Sequence, residues 1–516
     1  MAIDLVWFKR DLRVHDHRPL NDAVASGRPV LCLYVIEPDL WAQPQYSARQ
    51  YAFLHECLID LDRSLAKRGG HLTVKVGDVV EVLDAIHRET AISTLRSHEE
   101  TGVSWTYARD RAVQAWARNQ GIAFVETAQH GVIRRLKSRN GWAKRWDQFM
   151  SLPVTAPPAR IPNSPARSDA IPDPQALQLA CDPCPQRQIG GRLEALKDLK
   201  SFLKVRGRDY RRAMSSPLSA EAACSRLSAH LAFGTLSMRE AYQAALKARK
   251  AHREAGQGGF VKSIDSFVSR LHWHCHFIQK LEDETAIETE DLHPAYRDAR
   301  PDPTPETLTR WIEGQTGLPF VDACMRSLKA TGWLNFRMRA MAAAFSSYHL
   351  WVHWKQPAQA LARRFTDFEP GIHYAQFQMQ SGTTGVNTPR IYNPVKQGYD
   401  QDPDGVFTRQ WVPELAGLPT SFIHEPWRAP QDVLDTAGII LGQTYPDRMV
   451  DHEVAARQAR AHIGALRKSA IHAGAASAIQ VKHGSRKSGL KATGSASARA
   501  LARKRDDDDR QTRFDF

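Results

Sequence analysis

The first third of the chain alternates short apolar runs with segments of helical periodicity. The runs "DLVWF" (residues 4–8) and "VLCLYVI" (residues 30–36) are rich in β-branched and aromatic residues, as in strands buried on both faces. The segment "QYAFLHECLIDLDRSLAKRG" has the helical period and ends at a glycine pair, and "HLTVKVG" and "IAFVETA" predict further strands. Strands alternating with helices predict an α/β, Rossmann-like domain with a parallel sheet over residues 1–135. No GxGxxG follows the first strand, so the usual dinucleotide fingerprint is missing from the sequence.

The rest of the chain divides by composition into three parts. We predict an interdomain linker over residues 136–195, because residues 151–190 within it are rich in proline and small residues. Residues 196–465 show helical periodicity with few strand-like runs, so we expect a mainly α-helical domain there. Residues 466–516 are basic and rich in Ala, Ser and Gly, a composition that predicts a disordered tail.

The charge and cysteine content limit the class of protein. The net charge is +14, from 70 Lys+Arg against 56 Asp+Glu, which suits a polyanionic partner such as nucleic acid. Seven scattered cysteines predict a reducing compartment, and therefore a cytoplasmic protein. Cys181 and Cys184 form a CxxC without a second pair, so a chance loop arrangement is favoured over a zinc site. The most apolar stretch, "MAAAFSSYHLWVHW", is interrupted by polar residues, and we expect no membrane span.

The stretch "RLHWHCHF" (residues 270–277) raises the question of a metal site. His272 and His276 lie four residues apart, so on a helix they share a face and could bind one metal ion. The alternative is a structural role in a crowded helix. We favour the structural role and predict no metal.

Several longer motifs identify a family. "LVWFKRDLRVHDHRPL" at the N-terminus and "WIEGQTGLPFVDACMRSLKATGW" (residues 311–333) closely resemble signatures of the photolyase/cryptochrome family, in the manner of its bacterial DNA-repair members. "SRLSAHLAFGTLS", "RIYNPVKQ" and "DGVFTRQWVPEL" are similar to further family motifs, in the family's order, and the resemblance covers residues 4–460. It implies an α/β antenna-type domain joined to a helical domain that binds FAD.

The resemblance also implies which residues contact FAD. Arg339 matches the arginine over the isoalloxazine ring, Asp367 matches its ion-pair partner, and Cys224 stands where the family usually has Thr. Without the other motifs, "CSRLS" would be read as an ordinary helix cap. The expected cofactor-binding residues are Tyr210, Cys224, Ser225, Arg226, Leu227, Ser228, Phe267, Arg339, Asp367, Phe368, Glu369 and His373.

Three parts of the family pattern are altered. His373 occupies the position beside flavin N5 where repair enzymes usually have Asn and cryptochromes often have Asp, and its protonation could tune the flavin. The three electron-relay tryptophan positions fall on Phe377, Trp354 and Pro301, so only the middle one is kept; Trp351 or Tyr374 could offer another route. Trp105 and Thr106 replace the Asn and Glu of folate-binding members, which leaves the identity of any second, antenna chromophore open.

The resemblance places the DNA lesion on the helix of the opening histidine stretch. Trp273 aligns with the lesion-stacking tryptophan of cyclobutane-dimer photolyases, whereas Arg270 replaces the usual glutamate. Asn335 and Ala340 stand where (6–4) photolyases have a histidine pair, so cyclobutane dimers are favoured. By spacing, one helical face should carry Arg270, Trp273, His274 and Phe277. The expected substrate residues are Arg270, Trp273, His274, Phe277, Asn335, Phe336 and Met379, and the expected catalytic residues are Trp273, Trp354, Arg339, Asp367 and His373.

The C-terminal end offers one more motif. Gln511, Phe514 and Phe516 fit the short pattern of peptides that bind bacterial sliding clamps, although a six-residue pattern also arises by chance. The leading hypothesis is a monomeric, light-driven photolyase, a carbon–carbon lyase that acts on UV-damaged DNA. The alternatives are a cryptochrome-like blue-light receptor and a DNA-binding flavoprotein without repair activity.

Overall fold

A five-stranded parallel sheet forms the centre of the N-terminal domain in the computed structural model. The structure describes residues 2–164, 166–385, 387, 389–469, 475, 479 and 482–484. The strands are β1 (Ile3–Phe8), β2 (Val30–Ile36), β3 (Leu72–Val76), β4 (Ile92–His98) and β5 (Ala123–Thr127). They lie in the order β3-β2-β1-β4-β5, and every neighbouring pair is parallel. The predicted Rossmann-like class is confirmed.

Helices cover both faces of this sheet. The strands β1 and β2 are therefore buried along their whole length. These helices are α1 (Arg18–Ala25), α2 (Pro38–Trp41), α3 (Ala48–Ala66), α4 (Val79–Glu89) and α5 (Ser104–Asn119). Separate apolar clusters fill the two faces, one around Phe8 and Leu54 and the other around Trp7 and Leu83. The strand order reverses between β1 and β4, so the carboxyl ends of these strands lie at the topological switch point.

The predicted linker contains a helix that belongs to the C-terminal core. Helix α6 (Trp142–Ser151) lies within residues 136–195, where we expected only extended chain. The Trp142 and Trp146 rings pack on His272 with centroid distances of 5.0 and 4.9 Å. The sequence expectation was wrong for this segment, because the proline-rich composition begins only after the helix.

The C-terminal domain is helical, as predicted. Its helices are α7 (Arg192–Lys204), α8 (Tyr210–Ala213), α9 (Pro217–Ala223), α10 (Ser228–Ala232), α11 (Met238–Glu254), α12 (Gly258–Asp283), α13 (Pro305–Ile312), α14 (Pro319–Thr331), α15 (Phe336–Ala344), α16 (Lys355–Arg364), α17 (Pro370–Ser381), α18 (Pro394–Gln401), α19 (Val406–Trp411), α20 (Gln431–Thr436) and α21 (His452–Lys468). A short π-helical stretch, Phe345–His349, continues α15. The long helix α12 packs between α11 and α17 and so reaches both halves of the domain.

The two domains meet closely where the chain leaves β1. The Leu12 amide donates to the Phe233 carbonyl at 3.2 Å, and Asp16 pairs with Arg239 at 2.6 Å. Gly234 has φ +68°, and a Cβ there would lie 2.1 Å from the Arg10 carbonyl oxygen. Only glycine fits this position without moving one domain from the other.

The structure also bears on the membrane question. Among the described residues, no helix combines the length and the apolar character that a bilayer span needs.

Candidate functional site

An arginine–aspartate pair in the helical domain joins α15 to the segment before α17. Arg339 Nη2 donates to Asp367 Oδ2 at 2.7 Å, and Arg339 Nε donates to the Leu334 carbonyl at 2.7 Å. The Arg339 guanidinium lies over the Phe365 ring, 4.0 Å from its centroid. The Asp367 side chain is 3% exposed and that of Arg339 28%. The pair that the motifs predicted is therefore formed, with its carboxylate buried.

A second arginine lies near this pair. Arg226 has a left-handed backbone (φ 61°) just before α10, and its guanidinium stacks on the Trp333 ring at 4.1 Å. Burial lowers the pKa of Arg226, and the negative charges of Glu221 and Asp367 oppose that shift. A non-glycine residue in this conformation is held there by its surroundings, as is common at ligand sites.

Arg206 holds the loop before Arg226 in place. Its guanidinium donates to the Cys224 carbonyl at 2.6 Å and to the Ser225 carbonyl at 3.3 Å. We did not predict a role for this arginine from the sequence. The basic run "VRGRDYRR" was its only signal, and surface phosphate binding would explain such a run equally well.

Polar atoms near the two arginines fit a ligand such as FAD. Within the described parts of the chain, Arg226 Nη1, Asp367 Oδ1 and Thr366 Oγ1 are buried and have no hydrogen-bond partner. The Thr366 amide binds the Gly332 carbonyl at 3.0 Å, and this contact places Thr366 next to the segment that carries Trp333. A donor, an acceptor and a hydroxyl at one place suit a molecule that carries both phosphate and amide-like groups.

His373 lies in an aromatic pocket on α17. Its ring is surrounded by Phe365, Phe368 and Phe377 at centroid distances of 6.1, 5.4 and 5.8 Å. Burial lowers its pKa to about 4, so the imidazole is neutral at pH 7. His373 Nε2 lies 2.8 Å from the Ala358 carbonyl, which can only accept a hydrogen bond. The neutral ring therefore carries its proton on Nε2 and offers Nδ1 as an acceptor.

Trp354 is connected to this pocket through Tyr374. The Trp354 indole donates to Asp291 at 2.9 Å, and its ring lies 6.4 Å from Tyr374, which lies 5.4 Å from His373. Trp351, the other residue considered for the relay, packs instead between Arg300 and His462. Of the two candidate routes, the structure connects Tyr374 to the pocket.

Helix α12 does not present together the four residues expected to face a DNA lesion. Trp273 stacks on Phe277 with a centroid distance of 5.5 Å and an angle of 26°. His274 instead faces the α/β domain, 6.4 Å from His130, and burial lowers its pKa to about 3. The expectation of one shared face is wrong for His274, because the α/β domain covers that side of the helix.

Arg270 joins α12 to an expected flavin contact. Arg270 donates a hydrogen bond to the Tyr210 hydroxyl, and burial raises the pKa of Tyr210 to about 12. Phe267, one turn earlier, packs on Phe202 at 4.9 Å. Arg270, an expected substrate residue, thus contacts Tyr210, an expected flavin contact.

The remaining expected residues differ in how far they are buried. Asn335 is buried and donates to the Met214 and Ser215 carbonyls at 3.0 and 2.7 Å, so its amide group ties α15 to the loop after α8. Phe336 is 38% exposed and Met379 is half-buried. Leu227 is buried and Ser228 begins α10.

A cluster of metal-ligating residue types lies in the other domain. Asp11 Oδ2 is 2.8 Å from His17 Nε2 and 2.7 Å from His98 Nδ1, and all three side chains are buried. His17 Nδ1 accepts from the Leu20 amide at 3.1 Å, which leaves Nε2 to donate to Asp11. Hydrogen bonds thus account for the positions of these three side chains.

The segment expected to face a folate antenna is bonded within the protein. The amide and hydroxyl of Ser104 both donate to Glu288 Oε2 at 2.6 Å, and Thr106 Oγ1 donates to the Val103 carbonyl at 2.8 Å. Trp105 lies beside Arg109, 5.8 Å from its guanidinium. The polar side chains of Ser104 and Thr106 are therefore engaged within the protein.

The fold and the site together define a two-domain flavoprotein. The sequence model of DNA photolyase matches residues 4–143, and the model of the FAD-binding domain of DNA photolyase matches residues 267–465. The chain belongs to the DNA photolyase and cryptochrome family, and its helical domain is the family's FAD-binding domain. The resemblance and the FAD prediction are confirmed, whereas the roles of individual residues remain predictions.

Known relatives include both repair enzymes and photoreceptors. A deoxyribodipyrimidine photo-lyase of Agrobacterium fabrum (strain C58) is 30% identical over 487 residues, which is 90% of this chain and 98% of that protein. Cryptochrome-1 of Gallus gallus is 26% identical over 484 residues, which is 89% of this chain and 77% of that protein. The crystal structure of a bacterial class III photolyase from Agrobacterium tumefaciens has a TM-score of 0.81 at 27% identity, covering 91% of this chain and 98% of that one.

Proposed function

We propose that the protein is a photolyase that uses blue light to split cyclobutane pyrimidine dimers in DNA. The observation that carries this proposal is the Trp273–Phe277 stack on α12, the helix whose Arg270 also contacts Tyr210. A flipped pyrimidine pair loses its stacking in the duplex, and an aromatic platform replaces part of that loss. The helix therefore offers a lesion platform and a flavin-side contact within one turn.

The chain's own residues supply position and charge. When bound and reduced, FAD supplies the photoexcited electron that opens the dimer. Arg339 and Asp367 would hold the isoalloxazine end, and Arg226 would hold a phosphate or ribose oxygen through its unpartnered Nη1. His373, neutral and turned through Nε2 to Ala358, would keep a proton acceptor rather than a positive charge beside the ring.

Basic side chains beside Tyr210 favour DNA as the partner. Arg208, Arg211 and Arg212 are exposed on this short segment. Together with the net charge of +14, they suit contacts to backbone phosphates. We propose that the protein acts as a monomer on DNA in the cytoplasm.

The direct test is repair by the purified protein. With UV-irradiated oligonucleotides containing one cyclobutane dimer, we expect loss of the dimer under blue light and none in the dark. Persistence of the dimer in the light, with FAD bound and reduced, would refute repair. The same assay with a (6–4) lesion tests the substrate, and Asn335 and Ala340 lead us to expect no repair there.

A variant tests the platform separately from the chemistry. Trp273→Ala should weaken binding to dimer-containing DNA by about 10-fold or more, since stacking contributes about 1–3 kcal/mol per base. Trp427→Ala is the matched control, because Trp427 is also half-buried but packs on Arg448 and His452. Equal damaged-DNA affinity in the two variants would remove the platform from the proposal.

One observation favours a second function, that of a blue-light receptor. Phe377 occupies one of the three expected tryptophan positions of the electron relay, and its ring lies 5.8 Å from His373. His373 itself replaces the Asn that repair enzymes usually have beside the flavin, and cryptochromes often differ from repair enzymes at this position. A receptor predicts photoreduction of the bound flavin without loss of dimers. Illumination of the protein alone, followed by the repair assay on the same sample, separates the two functions.

Two further expectations have simple tests. Gln511, Phe514 and Phe516 lie outside the described residues; deletion of residues 511–516 should abolish binding to a bacterial sliding clamp, and unchanged binding would reject that role.

The second expectation concerns the antenna. A second chromophore would add an absorption band that FAD does not produce. A spectrum of the purified protein that is accounted for by FAD alone would exclude it.

A further inference from the structure

We propose that Arg10, a residue of the α/β domain, is a positioning residue of the flavin cleft in the helical domain. The inference rests on the FAD-binding assignment and not on DNA repair. Arg10 follows β1 at the switch point of the sheet, where α/β folds commonly bind a ligand of their own. In this chain its side chain crosses into the other domain instead.

Arg10 makes three contacts with the helical domain. Its Nε donates to the Ala232 carbonyl at 2.7 Å, and its Nη2 donates to the Phe368 carbonyl at 3.0 Å. The same Nη2 lies 3.0 Å from Glu369 Oε2. One guanidinium therefore binds two separate segments of the helical domain.

Both segments lead to expected flavin contacts. Ala232 ends α10, the helix that begins with Ser228 and follows Arg226. Phe368 and Glu369 directly follow Asp367, and the Phe368 ring packs on His373 at 5.4 Å. The distance between these two segments depends on Arg10, because its planar fork fixes both carbonyl oxygens relative to one group.

Arg10 is itself held from the α/β side. Gln129 Nε2 donates to the Arg10 carbonyl at 2.5 Å. From the helical domain, Gly234 approaches the same carbonyl without a side chain between them. Burial alone would lower the pKa of Arg10, but the negative charge of Glu369 keeps it above its usual value. The backbone and the charge of Arg10 are therefore both fixed, as positioning requires.

Glu369 gives this contact a pH dependence. Burial raises the pKa of Glu369 to about 7, against the attraction of Arg10 and with added repulsion from Glu100. Other titratable groups also interact with this pair. Tyr46, Tyr34 and Glu100 interact with Arg10, as do His130 and His274, and Cys275 interacts with Glu369. Loss of the Glu369 charge as the pH falls through about 7 removes one of the three contacts of Arg10.

The test measures FAD binding rather than repair. Arg10→Lys and Arg10→Gln should each raise the FAD dissociation constant about 10-fold or more, since a charge-assisted hydrogen bond lost from a buried group has that effect. Arg239→Lys is the matched control: Arg239 also crosses between the domains, to Asp16, but contacts neither segment. The constants are measured by ultrafiltration, and global unfolding is followed separately by circular dichroism.

Different outcomes decide different claims. If Arg10→Lys binds FAD as the wild type does, or if Arg239→Lys weakens FAD equally, the positioning role is overturned. If the wild type itself binds no FAD, the FAD-binding assignment fails first. In the wild type, the FAD dissociation constant should rise as the pH falls through about 7. Glu369→Gln should remove this pH dependence. A variant that keeps the wild-type pH dependence would show that Glu369 is not its source.

Discussion

Each domain contains a buried aspartate, Asp11 in the α/β domain and Asp367 in the helical domain, and the two carboxylates differ in how fully they are hydrogen-bonded. Around Asp11, one carboxylate oxygen accepts from His17 and His98, and the other accepts from the Lys9 amide at 2.7 Å. Around Asp367, by contrast, one oxygen binds Arg339 while the other has no partner among the described residues.

The difference separates a structural network from a ligand surface. A buried polar atom without a partner costs about 1–3 kcal/mol, so a chain keeps such atoms where something else binds them. In the Asp11 cluster both carboxylate oxygens and both His17 ring nitrogens have a partner within the protein. Near Asp367 the unpartnered atoms come from two segments, Arg226 before α10 and the consecutive residues Thr366 and Asp367 before α17, and a bound group would join them.

The largest expected effect is on Asp367. Asp367→Asn should weaken FAD binding about 100-fold or more, because removing one partner of a buried charge pair costs about 3–5 kcal/mol and leaves Arg339 uncompensated. The measurement is the FAD dissociation constant, with circular dichroism to show that the variant is folded. If the variant binds FAD with the wild-type dissociation constant, Asp367 contributes to the folded structure, as Asp11 does, and not to FAD binding.

Asp11 should show the opposite pattern. Asp11→Asn leaves His17 and His98 without their charged acceptor, and we expect the free energy of unfolding to fall by about 3 kcal/mol. The content of FAD per folded molecule should stay unchanged. Denaturant titration and flavin absorbance measure the two quantities, and a loss of FAD at full stability would break the comparison.

Acidification should act on the first cluster through His98. Burial, with the charge of His17, lowers the pKa of His98 to about 3, whereas an unfolded histidine titrates near 6.5. The unfolded state therefore binds more protons between these values, and stability falls as the pH drops below about 6.5. The expected slope is up to about 1.4 kcal/mol per pH unit for this one residue. Chemical denaturation at pH 7.5 and 5.5 measures it, and His98→Asn should reduce the difference.

The smallest expected effect concerns a single hydroxyl. Thr366→Val removes the unpartnered Oγ1, and loss of one neutral hydrogen bond to FAD of about 1 kcal/mol should raise the dissociation constant about 5-fold. Thr331→Val is the control, because the Thr331 hydroxyl already donates to the Ser327 carbonyl at 2.8 Å. A change in FAD affinity in Thr331→Val alone would show that the two hydroxyls were assigned to the wrong roles.

The sequence predicted what depends on local pattern. The buried runs of β1 and β2 and the helical period of α3 define the α/β domain, and the family motifs place Arg339 opposite Asp367. Strand β4 was missed, because "ISTLRSH" mixes polar residues into a buried strand. Its His98 is accommodated only through Asp11, a residue 87 positions away.

Contacts between the domains could not be predicted from the sequence. Spacing along α12 puts His274 on the same face as Trp273, but the side that the α/β domain covers depends on how the domains pack. The role of Arg10 has the same origin, since its partners lie 222 and 358 residues further along the chain. Periodicity describes one element at a time and carries no information about such distances.

The close approach at Gly234 has a consequence for protein engineering. A chimera that takes its α/β domain from a relative keeps the interface only if the turn after β1 arrives with the glycine that faces it, because any Cβ at position 234 meets the Arg10 carbonyl at 2.1 Å. Residues 9–13 and 230–239 should therefore be exchanged as one block. A single crossover in the proline-rich chain after α6 (Trp142–Ser151) separates the two halves of this block. A chimera joined there without matching residues 9–13 to residues 230–239 should yield domains that fold but do not dock.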